Sequence, residues 1–119
     1  MNKQDQLKQQ IVEAVSRFQK DQLAVTCESL TVDFHPDNLV VTLSGATCPA
    51  EREYAQDRNA RELLERFYNE LFTVIKPILE GQIQEILGRK VRRSRLSIDP
   101  CSGVGVILLA LTSKTCPEG

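Results

Sequence analysis

The chain has 119 residues, 41% hydrophobic and 26% charged, with a formal net charge of −1. That supports one domain over residues 1–119 with a modest core, and it excludes a global electrostatic pull on nucleic acid or acidic membranes. No apolar run approaches the roughly 18–20 residues that span a bilayer, and Met1–Leu7 lacks an apolar signal core, so the expectation is a cytoplasmic protein without direct membrane insertion.

The spacing of Leu7, Ile11, Val15 and Phe18 predicts a first helix over Asp5–Leu23 with a polar, Gln-rich start. Ser29–Phe34 then alternates, with Leu30, Val32 and Phe34 on one face. His35-Pro36-Asp37-Asn38 is turn chemistry, since Pro presets φ and Asn accepts the left-handed region. Leu39–Leu43 resumes an extended pattern, which makes a hairpin. His35, the only histidine, reads as a solvated turn residue.

Thr47 or Cys48 suits a helix N-cap, with Pro49 at the first helical position and Glu51 in the first turn. Tyr54–Asn59 is polar and reads as a loop. Asn59–Leu87 is the longest amphipathic segment. Leu63, Phe67, Leu71, Val74 and Ile78 recur at helical spacing, and Leu64, Phe72, Ile75, Leu79, Ile83 and Ile86 widen that stripe. So broad an apolar face requires cover from a sheet or a partner helix. Pro77 lacks the N–H that would bond Thr73, which predicts a kink or two helices meeting there. Gly88 fits a left-handed C-cap.

Arg89–Arg95 is basic at five of its seven positions. Read as a strict strand, it places Lys90, Arg92 and Ser94 on one face with Leu96 and Ile98, and Val91, Arg93 and Arg95 on the other. Asp99–Gly103 is a second turn. Val104–Leu111 is so apolar that it predicts a central strand shielded on both faces. The halves also echo each other: Leu30-Thr-Val-Asp33 parallels Leu96-Ser-Ile-Asp99, and Thr47-Cys48-Pro49 returns as Thr115-Cys116-Pro117. The predicted fold is therefore α+β. Two helix-hairpin (αββ) units form an antiparallel four-stranded sheet with the helices packed on one face.

Chemistry is sparse. No phosphate-binding, dinucleotide, zinc-protease or nucleophile-elbow motif occurs. Cys27, Cys48, Cys101 and Cys116 form no CxxC pair, so no metal site and no cofactor are expected. Free thiols are the default in a reducing compartment, with Cys48 and Cys116 the candidates for redox pairing. The charged set Arg58, Arg61, Arg89, Lys90, Arg92, Arg93 and Arg95 is the candidate anion- or partner-binding group. Its lack of interleaved aromatics argues against a single-stranded nucleic-acid platform, and no nucleic acid is expected as a partner.

From Leu43-Ser-Gly-Ala-Thr-Cys-Pro-Ala-Glu-Arg52, through the helix led by Arg58 and Arg61, Glu85-Ile-Leu-Gly-Arg-Lys-Val91 and Leu96-Ser-Ile-Asp-Pro100, the chain resembles the MpsC-like family. That family is the small protein of the sodium-translocating membrane-potential-generating system. The likeness spans about residues 10–112 and departs at Cys48, where the family tends to place Thr after Leu. It implies a cytoplasmic accessory protein connected with cation and bicarbonate transport or membrane potential, and it carries over no catalytic residue. The combined expectation is a non-enzymatic interaction protein, a homodimer, docking on a membrane transport component. The alternative is a small-anion or nucleotide-sensing regulatory module built on Arg89–Arg95.

Overall fold

The computed structural model describes residues 3–23 and 28–112. Helix α1 covers Lys3–Phe18 and continues into a π-helical turn, Gln19–Leu23. Strands β1, Ser29–Phe34, and β2, Asn38–Ser44, form the first hairpin. Helices α2, Pro49–Tyr54, and α3, Arg58–Leu87, follow. Strands β3, Val91–Asp99, and β4, Val104–Leu111, close the chain. Among the described residues the strands make one antiparallel sheet in the order β1-β2-β4-β3.

The first hairpin closes over Pro36 and Asp37, with the His35 N–H donating to the Asn38 carbonyl at 2.9 Å. Leu39, Val41 and Leu43 of β2 face Leu109, Ile107 and Gly105 of β4, and those three β2 residues are buried. The fully buried Ile11 and Val15 of α1 and Leu79 and Ile83 of α3 belong to the same cluster. The core thus lies between one face of the sheet and the two long helices.

Several expectations need correction. The first helix ends as α-helix at Phe18 and finishes as a π turn. The long segment is one helix through Pro77, not two helices meeting. It starts at Arg58 because Asp57 caps it, its carboxylate accepting the Ala60 N–H at 3.0 Å. Gly88 ends the helix at φ 68°, as its position suggested. Strand β4 is central, but it is not shielded on both faces: Val104 and Leu108 are exposed on the side away from the helices. Gly105 leaves room on the covered face, where an added Cβ would meet the Ile98 side chain at 3.6 Å.

The face assignment on β3 also changes. The ladder shifts between Val91 and Arg93, so Arg92 is an extra residue in a bulge. The bulge turns Val91 onto the core side with Ser94 and Leu96, while Arg92, Arg93 and Arg95 are exposed. Two α3 side chains hold this arrangement. Gln84 Oε1 accepts the Val91 N–H at 2.9 Å, and the buried Ser94 hydroxyl donates to Glu80 at 2.5 Å.

Candidate functional site

Helix α3 carries two apolar arcs, and the sheet takes only one of them. Phe72, Ile75, Leu79 and Ile83 are buried. Leu63, Phe67 and Val74 are 54%, 53% and 75% exposed, and Ile78 is 44% exposed. At 100° per residue the two sets are centred roughly a third of a turn apart. Of the sequence stripe Leu63, Phe67, Leu71, Val74 and Ile78, Leu71 is half-buried and the other four are exposed, so this stripe is not the one that meets the sheet. It is an uncovered ridge about 22 Å long, from the 1.5 Å rise per residue. Around it, Glu62, Arg66 and Glu70 are exposed and of mixed sign. The Phe67 and Tyr68 rings lie edge to face with centroids 5.6 Å apart, which steadies the aromatic end of the ridge.

The structure divides the sequence-derived cationic set. Arg58 pairs with Glu62 across one exposed helical turn at 3.6 Å, worth a few tenths of a kcal/mol at most. Arg61 donates from Nε to the Ala55 carbonyl at 3.2 Å, tying α3 to the end of α2. Arg89 is a clasp at the other end of α3, about 45 Å away by the helical rise. Its guanidinium donates to the Thr112 carbonyl through two nitrogens and to the Pro36 carbonyl at 3.1 Å, with Asp37 at 3.7 Å. It joins the first turn to the end of β4. Lys90 is exposed beside it. Arg92, Arg93 and Arg95 line a shallow hollow together with Lys76 of α3, Asn38 and Leu108. Sequence reading missed Lys76 because only the tertiary pairing of α3 with β3 brings it there.

Cys48 is the exposed N-cap of α2, and the Glu51 carboxylate reaches back to accept its N–H at 3.1 Å. The same Glu51 oxygen accepts the Tyr68 hydroxyl at 2.5 Å. Burial, and then this hydrogen bond, push the Tyr68 phenol above its ordinary value, so it stays protonated. Cys101 is a free thiol bonded to the Ala55 carbonyl at 3.1 Å. Around it the second turn locks onto the start of α2: the Thr47 hydroxyl donates to the Pro100 carbonyl at 3.3 Å, and the Ala46 N–H to the Gly103 carbonyl at 2.8 Å. Gly103 adopts φ 79° with Thr47 Oγ1 only 3.1 Å from an added Cβ, so a side chain is strained there. Cys27, Cys116 and the Thr115-Cys116-Pro117 echo lie outside the described residues.

Among the described residues no helix is long and apolar enough to cross a membrane. The surface offers an uncovered apolar ridge and a separate basic edge, groups suited to holding another molecule. No curated protein and no solved structure matches the chain. A family model does match, over residues 3–113 and so nearly the whole length, under the description Na+-translocating membrane potential-generating system (MpsC). The chain belongs to the MpsC family.

Proposed function

We propose that this protein is a non-enzymatic cytoplasmic accessory of a membrane transport system, its two helix–hairpin units serving as one platform that docks through the uncovered arc of α3. The observation that carries this reading is the ridge itself: Leu63, Phe67, Val74 and Ile78 stand exposed in a row on a helix whose other arc is already used by the core. Contiguous apolar surface of this kind marks an interaction site. The occupant is a protein component rather than bare lipid. Helices that lie in a bilayer interface carry a Lys/Arg-rich polar face, whereas Glu62, Arg66 and Glu70 beside the ridge are mixed. Membership of a family described as a Na+-translocating membrane potential-generating system supports a partner at a membrane, and the role we assign there is in cation or bicarbonate transport. The full chain should co-sediment with native membrane vesicles containing that system and stay in solution with protein-free liposomes. Equal binding to both would replace the protein partner with lipid.

The homodimer reading is favoured by the face of the sheet that carries no helix. Val40 pairs with Leu108 and Thr42 with Val106, giving that face an apolar centre. In the same row Asp33 opposes Val40 on one side and Arg95 opposes Leu108 on the other. The row therefore reads acid, Val40, Leu108, base. Two such faces stacked about a twofold axis parallel to the strands put Asp33 of each copy over Arg95 of the other, and Val40 over Leu108. A twofold perpendicular to the strands would instead stack Arg93 and Arg95 on themselves, so charge selects the first arrangement. Arg95→Glu should weaken self-association about tenfold in sedimentation velocity, and Asp33→Arg with Arg95→Glu should restore it. A double variant as weak as the single one would refute this pairing.

The alternative, a small-anion sensor, draws on the Lys76, Arg92, Arg93 and Arg95 hollow. It competes with the dimer for Arg95, and it requires heat from bicarbonate or a nucleotide in calorimetry that Lys76→Gln removes.

A further inference from the structure

Between the first half of α3 and the sheet lies a cavity of about 290 Å³ that shares Phe67 with the ridge and is separate from the basic edge. Phe18 of α1, Leu43 of β2, Phe72 of α3 and Ile107 of β4 contribute to a mainly apolar lining. An apolar cavity of about 150 Å³ in another protein holds a benzene ring, so this one has room for two fused rings.

The polar side of the cavity is unusual. Gln19 lines it from the first residue of the π-helical turn, a geometry that is rare and recurs at functional sites. The residue is only 3% exposed, yet its Oε1 has no hydrogen-bond partner among the described residues. A buried amide oxygen without a partner is a standing cost that a leucine at the same position would avoid. The π turn and the orphan oxygen coincide at one residue, and that residue lines the apolar space. The terminal torsion of a glutamine is soft, so the carboxamide turns easily to present its oxygen to an occupant.

Tyr68 and Glu51 also line the cavity, bonded to each other. The phenol proton is committed to Glu51, and the carboxylate opposes an anionic occupant. The buried lining offers no cationic side chain among the described residues.

We propose that this cavity is a binding site for a small uncharged molecule with an apolar body of one or two rings and a single N–H or O–H donor that meets Gln19 Oε1. The proposal does not rest on the docking reading. Because Phe67 and Leu71 also line the space, it opens beside the ridge.

The test uses the full chain, ¹⁵N- and methyl-labelled, titrated with indole and with indene, two probes of the same ring size of which only indole donates. Indole should shift the Gln19 side-chain amide and the Leu43 and Leu71 methyls, and bind about tenfold more tightly than indene. Gln19→Leu should fold, retain indene and bring the two affinities level. Gln19→Met, which keeps chain length without the amide, gives the same comparison if leucine disturbs the π turn. Equal affinities in the unaltered protein, no response to millimolar indole, or shifts confined to residues away from the cavity would each overturn the assignment.

Discussion

Leu79→Ala should lower the free energy of unfolding by about 3–4 kcal/mol, the range for truncating a buried leucine whose surroundings relax only partly. Leu79 is fully buried in α3. It belongs to the cluster that includes Ile11 and Val15 of α1, Val41 of β2 and Leu109 of β4. Removing three carbons there leaves a void within that cluster. A domain of this size holds about 5–15 kcal/mol in total, so the loss is a large fraction of it. Urea denaturation should show a lower midpoint with an unchanged slope. The matched control is Val74→Ala, five residues earlier on the same helix and 75% exposed, which should cost less than about 0.5 kcal/mol. Comparable losses at both positions would mean that the two arcs of α3 have been assigned to the wrong environments.

The second large effect concerns docking rather than stability. Phe67→Glu with Val74→Glu should leave the circular dichroism spectrum and unfolding midpoint close to those of the unaltered protein, because both residues are more than half exposed and neither belongs to the buried core. Association with native membrane vesicles should fall by tenfold or more. Forcing two carboxylates into an apolar interface costs several kcal/mol unless each finds a partner, and Phe67 is the kind of aromatic anchor on which interface energy concentrates. Unchanged co-sedimentation would remove the ridge from the account while leaving the fold untouched.

Hairpins, caps and the central strand were legible because each has a local cause. Pro36 and Asp37 make a turn whatever surrounds them, Gly88 takes a positive φ that other residues resist, and Val104–Leu111 could hardly lie at an edge. The choice between the arcs of α3 was not legible. Leu63, Phe67, Val74 and Ile78 have helical periodicity as good as that of Phe72, Ile75, Leu79 and Ile83, and only the shape of the sheet decides which set it covers. The bulge at Arg92 was equally hidden. No Gly or Pro announces it, and the groups that hold it are Gln84 and Glu80, whose side chains reach β3 only once α3 is in place. The same holds for the basic set. Sequence neighbours Arg89 and Arg92 diverge, because the first donates to backbone carbonyls and the second is extruded by the bulge. The cavity beside Gln19 was beyond reach from the sequence, since α1 with its π turn, β2, α2, α3, β3 and β4 all contribute to its lining.

The central claim, that the uncovered arc of α3 faces a membrane protein, is tested most directly by photocrosslinking from single positions in native membranes. Benzoylphenylalanine in place of Val74 should capture an integral membrane component of the transport system, and the same probe in place of Asn69, exposed on the other side of α3, should capture none. No membrane adduct from position 74, or equal yields from 74 and 69, would contradict the account.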